Sequence, residues 1–528
     1  MPRMFFPQYR KGRDGAALEE GTILDHARRL GVEIASECGG HGVCGRCVVR
    51  IERGAEFLAQ KTSAEKEHKL ADDERLACQA EVLRPDGDIR VFIRDFGDYT
   101  ILSESRRADD VALDPFVFRQ DDKVLRHPAE VLGPYEGGIY GLAVDVGTTT
   151  LVAQVVDLED GSTVATLARK NPQISYGNDV ISRIDHTMRH EGGLEQLQKV
   201  VVGAINELLS GVEERPGCIG KAIYDAVIVG NSTMRSIFFG HDVDSLGHIP
   251  FEPLTRDAVT ASGGELGLSI NERGAVYGAP LIGGHAGADA LADILASRMY
   301  ESDDVVMLID IGTNGEVAIG NKAKIMTASC AAGGAYEGAT TKCGVGAIEG
   351  AIKNVRIRND RVEYATIGGK APVGICGSGL IDLLAELLRS GKMTRKAKIE
   401  REFVVTGDII LDQDDIYQLI TAKAGLRLDQ DLLIKYYGVT LEQVSRIYLA
   451  GAFGNFINPQ SAVAIGLLPP AVRKISRIGN AALEGARQML ISRDMRARAE
   501  QLAQQVEHVK PNEFEPDFAY LVAEKMYF

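Results

Sequence analysis

Near the start of the chain, apolar residues repeat first at helical and then at strand spacing. Residues 23–30 carry apolar side chains three and four positions apart, which predicts a short amphipathic helix. Residues 48–51 and 88–93 read as strands, the second with regular alternation of polar and apolar positions. The pattern predicts a small domain of mixed helix and strand. A stretch rich in cysteine and glycine lies between the helix and the first of these strands.

Two longer patterns further along are copies of one plan. Each has a buried apolar strand, an aspartate, a Gly-Thr corner and a second strand that ends in a turn. The copies are GLAVDVGTTTLVAQVVDLEDG from Gly141 and VVMLIDIGTNGEVAIGNKAKIM from Val305. Asp145 and Asp310 occupy matching positions, so the sequence predicts an internal duplication of a β-hairpin with an Asp-x-Gly-Thr corner.

Small residues and glycines mark further elements of the same part of the chain. Residues 283–296 predict a small-residue helix ahead of the second hairpin, and residues 479–486 predict a second such helix. Between them, IYLAGAFGNF predicts a strand followed by Gly451 and Gly454 at the start of a helix. Each glycine run is weak evidence alone, but their order along the chain strengthens the interpretation.

Two other apolar runs leave their roles open. VIVGNSTM (227–234) is a strand followed by a polar turn, which places Asn231 either near a bound nucleotide or at the N-cap of a helix. GICGSGLIDLLAELL (374–388) is either a ligand-facing glycine turn or a place where helix and strand pack closely, and we favour packing.

Residues 97–138 separate the two parts of the chain. They carry many charges and several prolines and show no sustained period, so they read as a linker or a small connecting domain. The string VALDPFVF within them is too apolar for pure disorder, and we expect it to pack.

Length, charge and cysteine content narrow the possibilities. The 528 residues predict two to four compact units, and the net charge of −15 argues against a nucleic acid partner. The N-terminal residues lack an apolar signal region, and no apolar run is long enough to span a membrane, so we expect a cytoplasmic protein. In that compartment the eight cysteines are expected to be ligands, reactive groups or core residues rather than disulfides.

Four cysteines have the spacing of an iron–sulfur site. Cys38, Cys44 and Cys47 form C-x5-C-x2-C, and Cys78 follows at a distance, as in plant-type [2Fe–2S] proteins. Glycines in the loop, at positions 39, 40, 42 and 45, allow the backbone to wrap closely around a cluster. A structural zinc site is disfavoured because only one C-x2-C pair is present.

The other candidate ligands in the chain fit simpler roles. Four cysteines already suffice for the cluster, so we expect His41 to be a solvent-facing residue of the cluster loop. The remaining cysteines lack ligand spacing and are expected to be buried structural thiols: Cys218, Cys330, Cys343 and Cys376.

The duplicated hairpins suit a nucleotide with its magnesium ion. Glycines let the backbone approach phosphates, threonine hydroxyls donate to phosphate oxygens, and an aspartate at a strand end can hold Mg²⁺ or its water shell. The candidate catalytic residues are Asp145, Asp310 and Glu316. The candidate nucleotide-binding residues are Gly147, Thr148, Thr149, Thr150, Asn231, Gly312, Thr313, Asn314, Gly451 and Gly454.

Both parts resemble known folds. Residues 1–95 resemble β-grasp ferredoxins with the five-residue cysteine gap of the adrenodoxin-like branch, and the duplicated hairpins resemble the actin, sugar kinase and Hsp70 superfamily. The resemblances imply a multidomain α+β and α/β protein. The expected parts are a β-grasp ferredoxin (1–96), a linker (97–138) and a duplicated, ribonuclease H-like actin-type ATPase (139–528) with subdomains of about 139–300 and 301–528.

The combination resembles one family over nearly the whole chain: the reductive activators of corrinoid-dependent methyltransferases. The strings that carry the likeness are SCAAGGAYEGA (329–339), GICGSGLID, AGAFGNFINP and the tail EFEPDFAYLVAEKMYF. No cysteine follows Cys376, as in the bacterial [2Fe–2S] type. The resemblance implies ATP-dependent, one-electron reduction of Co(II) to Co(I) on a corrinoid protein. It also implies a [2Fe–2S] cluster, ATP and Mg²⁺ as cofactors, an upstream low-potential electron donor and a possible homodimer.

Three other functions remain open from sequence. Activators of 2-hydroxyacyl-CoA dehydratases and benzoyl-CoA reductases also join an actin-like ATPase to an iron–sulfur centre, although they lack a ferredoxin domain. A small-molecule kinase with a redox sensor is a second possibility. A binding module that uses ATP only as a conformational ligand is the third.

Overall fold

The computed structural model forms two compact units. It describes residues 2–7, 12–32, 34, 36, 38, 40–43, 45, 47–68, 70–83, 86–93, 111–213, 220–331, 333–336, 341–451 and 453–528. One unit combines Met1–Asp98 with Lys170–Ala204, and the other combines Tyr99–Arg169 with Ile205–Phe528.

The N-terminal part of the first unit is a five-stranded mixed sheet with two short helices. Its strands are β1 (Arg3–Phe5), β2 (Ala16–Ala17), β3 (Val48–Arg53), β4 (Glu74–Leu76) and β5 (Ile89–Ile93), and its helices are α1 (Ile23–Arg29) and α2 (Ser63–Glu67). The order is β2–β1–β5–β3–β4, with β1 parallel to β5. Apolar side chains from α1 and the sheet form one buried core. This is the predicted β-grasp fold.

Helix α1 begins at a capping box that also fixes its position. The Thr22 hydroxyl accepts from the backbone N–H of Asp25, and the Asp25 carboxylate accepts from the backbone N–H of Thr22. The backbone N–H groups at the start of the helix also donate hydrogen bonds to the rest of the fold. Leu24 donates to the carbonyl of Ala77 at 2.9 Å, which joins the start of α1 to the turn that carries Cys78.

A segment that is distant in sequence completes the first unit. It contains a short turn at Pro172–Ser175, then α3 (Val180–Arg189) and α4 (Gly193–Glu213), of which residues up to 204 belong to this unit. The buried Arg183 guanidinium donates to the carbonyl of Gly177 and to Oε1 of Gln173, both at 3.0 Å. The sequence pattern did not indicate this association.

The second unit begins with a small sheet in the region that sequence assigned to the linker. Its strands are β6 (Val117–Gln120), β7 (Lys123–Arg126) and β8 (Glu130–Pro134), which pair antiparallel in chain order. In none of the three do buried and exposed positions alternate regularly, so the sequence shows no strand period there. The apolar string there does pack, with Val117 fully buried. The predicted domain boundaries stay predictions, and residues 94–110 lie outside the described part of the chain.

Two six-stranded sheets dominate the rest of the second unit. The first has strands β9 (Tyr140–Val146), β10 (Thr150–Asp157), β11 (Thr163–Lys170), β12 (Ile223–Val229), β13 (Val259–Ser262) and β14 (Ala275–Gly278). Helices α5 (Ser232–Phe238), α6 (Gly263–Leu266) and α7 (Ala288–Ser297) accompany it.

The rest of the second unit contains the second large sheet, two smaller groups of strands and most of the helices. The strands are β15 (Val306–Ile311), β16 (Asn314–Asn321), β17 (Lys324–Ala331), β18 (Ala351–Arg358), β19 (Arg361–Thr366), β20 (Gly374–Ile375), β21 (Phe403–Thr406), β22 (Ile409–Leu411), β23 (Arg446–Ala450), β24 (Ile475–Gly479) and β25 (Glu507–His508). The helices are α8 (Gly377–Arg389), α9 (Gln413–Tyr437), α10 (Pro459–Ala464), α11 (Ala481–Ile491), α12 (Arg493–Gln505), α13 (Pro511–Phe514) and α14 (Phe518–Lys525).

Both large sheets contain the same five-strand arrangement. The orders β11–β10–β9–β12–β14 and β17–β16–β15–β23–β24 each place the strands as third, second, first, fourth and fifth. In both, the first two strands are an antiparallel hairpin, and the fourth strand runs parallel to the first. The predicted duplicated, ribonuclease H-like fold is therefore confirmed.

The two predicted small-residue helices, α7 and α11, follow the fifth strand of each sheet and pack against each other. A Cβ atom on Gly485 of α11 would collide with the carbonyl oxygen of Ala292 on α7. Small side chains at this crossing are therefore a packing requirement. Within the described ranges, no helix is both long enough and apolar enough to span a bilayer.

We expect Gly485→Ala to destabilise the protein by about 1–3 kcal/mol, because the added methyl group has no room against α7. Thermal unfolding measures the effect. Gly211→Ala is the matched control, since Gly211 is an exposed residue of α4 with open space around its Cβ position, and helix propensity alone predicts a small gain there. Equal midpoints for the two variants would contradict the close crossing.

Candidate functional site

The first unit brings two of the four predicted cluster ligands into contact, and a third lies in the same loop. The Cys47 thiol donates to the sulfur of Cys78 at 3.3 Å, and these side chains are 1% and 7% exposed. The hydrogen bond from Cys47 is the largest of several effects on Cys78 and lowers the pKa of its thiol, against the opposing effect of burial. Cys38 is partly buried in the same loop, and Cys44 lies outside the described residues. Two thiols in contact, one of them with a lowered pKa, fit an iron–sulfur cluster.

Glycines shape the loop around these thiols. Gly42 and Gly45 have φ values of 76° and 68°, which few other residues adopt. A Cβ atom on Gly42 would lie 2.8 Å from the Gln79 side chain, and one on Gly45 would lie 2.8 Å from the His68 ring. His68 Nε2 is also 3.0 Å from the carbonyl oxygen of Gly42. The loop thus packs closely against Gln79 and His68.

In the second unit, a cleft between the two duplicated hairpins brings most of the nucleotide-site candidates together. The Thr149 and Thr313 hydroxyls meet across it at 2.7 Å. The candidates that line the cleft are Asp145, Gly147, Thr148, Thr149, Thr150, Asn231, Asp310, Gly312, Thr313, Asn314, Glu316 and Gly451. Gly454 is not among the lining residues; it begins a short turn and packs near Leu449.

Both roles considered for Asn231 are compatible with its position. Its Oδ1 accepts from the backbone N–H of Met234 at 2.9 Å and caps α5. Its Nδ2 donates to Thr148 Oγ1 at 2.9 Å, inside the cleft. The residue therefore fixes the first hairpin corner to the end of β12.

The fourth strand of each large sheet ends in a glycine that lies against the first hairpin strand. Gly451, with φ of 90°, leaves no room for a Cβ atom beside the Asp310 carboxylate. Gly230, with φ of 154°, would place a Cβ atom 2.7 Å from the carbonyl oxygen of Val146. The strand–glycine pattern is thus part of the duplication, a signal in VIVGN and YLAGA that the sequence interpretation did not use.

Three polar residues on or next to the small-residue helices α7 and α11 were not predicted from the sequence. Asp289 and Asn480 line the cleft, and Asp293 lies one turn beyond Asp289 on α7. Asn480, the N-cap of α11, donates to Asp145 Oδ2 at 3.0 Å, and the Asp293 carboxyl is hydrogen-bonded to that of Asp310. Each small-residue helix follows one large sheet and contacts the aspartate of the other sheet: α11 contacts Asp145, and α7 contacts Asp310. The signal was a polar residue near the start of each small-residue helix, in the strings GAD (287–289) and GNA (479–481).

The other sequence candidates lie elsewhere. Gly377 and Gly379 of α8 leave no room for Cβ atoms against the carbonyl oxygens of Tyr336 and Ile352, which supports packing as their role. Cys343 and Cys376 are buried, Cys330 is partly buried, and Cys218 lies outside the described residues.

Three family models match successive parts of the chain. Residues 11–83 match a 2Fe–2S iron–sulfur cluster binding domain, residues 140–302 match the RACo middle region, and residues 304–528 match the C-terminal domain of RACo, the ASKHA domain. The corrinoid activation enzyme RamQ of Eubacterium limosum is 30% identical over 93% of both chains. This chain belongs to the RACo family.

Other relatives of this RACo-family chain agree. A Co(II) methylated amine-specific corrinoid protein reductase of Methanosarcina barkeri is 26% identical over 67% of this chain and 70% of its own length. A solved structure of a reductive activator for corrinoid, iron–sulfur protein is 29% identical, with a TM-score of 0.74, and covers 100% of this chain and 98% of its own.

Carboxyl groups concentrate at the cleft of this RACo-family protein. Burial raises the pKa of Asp145 and of Asp289 to about 7 and that of Asp310 to about 6. Burial and the neighbouring carboxylates also raise the pKa of Asp293 and of Glu316 well above the usual values. Ionising these groups together is costly unless a cation joins them.

The carboxyl groups fit a magnesium ion held partly through water. Mg²⁺ prefers hard oxygen donors. It commonly keeps several water ligands and takes its other ligands from phosphates. In the described part of the chain, no three His, Cys, Asp or Glu side chains converge closely enough to ligate a metal directly. The site therefore suits Mg²⁺ bound with a nucleotide better than a metal held by protein atoms alone.

We expect Asp145→Asn to stabilise the nucleotide-free, Mg²⁺-free protein increasingly as the pH rises from about 4 to about 7. The folded state keeps the proton on Asp145 up to about pH 7, whereas the unfolded chain loses it near the ordinary pKa of 3.8, so ionisation destabilises the wild-type fold over that window. The gain should reach about 1–4 kcal/mol above pH 7 and then level off.

Urea unfolding across this pH range measures the difference. Asp408→Asn is the control, because Asp408 is exposed in the turn between β21 and β22. If the free energies of unfolding of wild type and Asp145→Asn changed with pH in the same way, the ionisation of Asp145 would carry no folding cost, which would contradict the prediction.

Proposed function

We propose that this chain reductively activates a corrinoid protein, by ATP-dependent, one-electron reduction of Co(II) to Co(I). One observation carries the proposal: a cysteine site for a [2Fe–2S] cluster and a duplicated nucleotide cleft occur on one chain whose relatives are named for corrinoid activation. Membership of the RACo family supports this function over a dehydratase activator, a small-molecule kinase or a passive binding module.

The cluster ligands in this proposal are Cys38, Cys44, Cys47 and Cys78. A [2Fe–2S] cluster supplies single electrons, with potentials near −400 mV in plant-type ferredoxins. The protein shields Cys47 and Cys78 from water and lowers the pKa of Cys78, so that its thiolate is available as a ligand. Gln79 Nε2 lies 3.7 Å from the Cys78 sulfur and can donate to it.

In the nucleotide cleft, we assign the phosphates to the two hairpin corners. The backbone at Gly147, Gly312 and Asn314 and the hydroxyls of Thr148, Thr149, Thr150 and Thr313 would hold the phosphate oxygens. Asp145 and Asp310 would hold Mg²⁺ through its water shell. Glu316 is the candidate base for the attacking water, because its raised pKa makes the ionised carboxylate a stronger proton acceptor.

The remaining candidates would act on the adenosine side or support the site. Gly451 allows the chain after β23 to approach Asp310 closely, and Asn231 holds the first hairpin corner. Gly454 lies outside the cleft lining and would act only by shaping the turn after β23.

Closure of the cleft suggests how ATP could contribute energy. Its volume of about 120 Å³ is below the roughly 300–1,000 Å³ of typical ligand pockets, so a nucleotide must part Thr149 from Thr313. Such a movement gives ATP the differential interaction with two states that a conformational change requires. About 59 mV of one-electron deficit corresponds to about 1.4 kcal/mol, so ATP binding and turnover could offset a few hundred millivolts.

We further propose a low-potential electron donor upstream, a cytoplasmic location and a possible homodimer. A cluster that serves as a strong reductant must be recharged by a donor of comparable potential. Thiolate ligands also favour a reducing compartment.

The proposal is tested by mixing reduced protein, MgATP and a Co(II) corrinoid protein and following the Co(I) absorption band. We expect Asp310→Asn to lose most ATP hydrolysis while keeping the [2Fe–2S] spectrum. Cys78→Ala should lose the normal cluster spectrum while still binding ATP. Neither variant should yield Co(I) at the wild-type rate.

The two variants separate the parts of the proposal. Full ATP turnover in Asp310→Asn would refute the role of that carboxylate, and a native spectrum in Cys78→Ala would refute the ligand assignment. Wild-type protein that hydrolyses ATP and is reduced, yet gives no Co(I) with any corrinoid protein of its host, would refute the function itself.

A further inference from the structure

The segment that contains α3 is attached to the ferredoxin fold at two places, and the first is helix α1. The Arg28 guanidinium, on α1, donates through Nε to the carbonyl oxygen of Ser175 at 3.0 Å. Its Cζ lies 4.5 Å from the centre of the Tyr176 ring, a cation–π contact. These contacts hold the turn that leads into α3 against the ferredoxin fold.

The second attachment is at the cysteine loop. His41, between Cys38 and Cys44 in sequence, places Nε2 3.4 Å from Oδ2 of Asp185 on α3. The His41 side chain is 51% exposed, so this loop residue both faces solvent, as the sequence predicted, and contacts α3.

The contact between His41 and α3 lies close to a predicted cluster ligand. Gly40 and Gly42 flank His41 in the chain. The side-chain amide of Gln79 donates through Nε2 to the carbonyl oxygen of Gly40 at 3.1 Å, and the same nitrogen lies 3.7 Å from the Cys78 sulfur. A Cβ atom on Gly40 would lie 3.9 Å from the Cβ atom of Cys78. The loop at His41 therefore runs beside one of the sulfur atoms of the predicted cluster.

Apolar side chains are exposed around this contact. Ile181, Asp185 and Met188 are spaced four and three positions apart, so they share one face of α3. Ile181 is 53% exposed and Met188 is 46% exposed, while Val43, two residues after His41 in the cluster loop, is 73% exposed. We call these five residues the cluster-side patch. Exposed apolar side chains that lie together mark interaction sites.

The charges at the cluster-side patch are compensated, although the chain as a whole carries a net charge of −15. The Arg189 guanidinium donates through Nε to Asp185 Oδ1 at 2.6 Å, and His41 contacts the other oxygen of that carboxylate. Asp179 caps the start of α3, and Arg183 is buried within it, so the helix and its cap carry two arginines against two aspartates. An acidic protein, which the whole chain repels at long range, meets compensated charges here.

We propose that the cluster-side patch is the docking surface for the upstream electron donor, and that this donor is a small acidic one-electron carrier protein. The inference rests on the proposed cluster and donor, and it adds where they meet and by what chemistry. Three exposed apolar side chains among compensated charges fit the small, weak interfaces of electron-transfer complexes, which bury less than about 1,200 Å². One electron passes from the reduced carrier to one Fe(III) of the cluster, which becomes Fe(II), and no proton is transferred.

The test mixes the oxidised full chain rapidly with reduced flavodoxin, a small acidic carrier, and in parallel with the methyl viologen radical cation, a small-molecule reductant. Loss of the oxidised [2Fe–2S] absorption measures each rate, at carrier concentrations below saturation. Ile181→Glu and Met188→Glu should each slow reduction by flavodoxin about tenfold, the factor that corresponds to 1.4 kcal/mol of docking free energy. Each change removes an apolar contact and adds a charge of the same sign as the carrier. The methyl viologen rate should change little.

Leu83→Glu is the matched control. Leu83 belongs to the same unit and is 63% exposed, but its backbone N–H donates to the carbonyl oxygen of Phe57 rather than to the cluster loop. The same charge introduced there should leave both rates at the wild-type value. All variants are compared at equal cluster content, measured by the [2Fe–2S] spectrum.

Arg189→Gln tests the charge compensation without a change in the apolar side chains. It leaves the Asp185 carboxylate with less positive charge beside it, so reduction by flavodoxin should slow, and more so at low than at high ionic strength. Arg29→Gln is its control, because Arg29 pairs with Glu19 and lies on α1.

The outcomes separate docking from other causes. Wild-type flavodoxin rates in Ile181→Glu and Met188→Glu would overturn the inference, and so would equal slowing with both reductants, which would show a disturbed cluster. Unchanged flavodoxin rates with slower Co(I) formation would assign the patch to the corrinoid protein and overturn the choice of the donor. A wild-type chain without a reducible [2Fe–2S] spectrum would overturn the proposed function as well, so the two failures are distinguishable.

Discussion

The nucleotide half of the protein depends on a charge constraint where its two duplicated sheets meet. Asp145 and Asp310 lie near the ends of matching strands and line one cleft with Asp289 and Glu316, and Asp293 lies next to Asp310. Burial raises the pKa of each carboxyl group, so the fold is strained at neutral pH unless cations or protons offset the charge. The surrounding glycines, the small-residue helices α7 and α11 and the helix caps position these groups.

This constraint explains the reciprocal construction of the site. The helix that follows each sheet supplies a polar group to the aspartate of the other sheet: Asn480 to Asp145, and Asp293 to Asp310. The halves can therefore separate or close only by changing the surroundings of both aspartates. Magnesium with a triphosphate would bind most tightly to the arrangement in which the two hairpin corners are parted to admit the phosphates and both aspartates face the ion, which links nucleotide binding to the conformation of this unit.

The sequence predicted features that repeat or that have fixed spacing. The cysteine spacing indicated the cluster, and the two Asp-x-Gly-Thr corners indicated the duplicated fold and most of the cleft. Asp289 and Asn480 were missed because they enter the cleft from helices remote in sequence, where small residues read only as packing. The contact of Arg28 with Tyr176 was not predictable either, since it joins residues 148 positions apart that show no shared pattern. The strands β6–β8 were missed because their buried and exposed positions do not alternate.

The most direct test of the charge constraint compares thermal unfolding of the wild-type protein at pH 8 with MgATP, with ATP in EDTA, and with Mg²⁺ alone. The constraint predicts a large rise in the unfolding midpoint only with MgATP, because metal-free phosphates would add negative charge beside ionised carboxylates. Equal stabilisation by MgATP and by ATP in EDTA would contradict it.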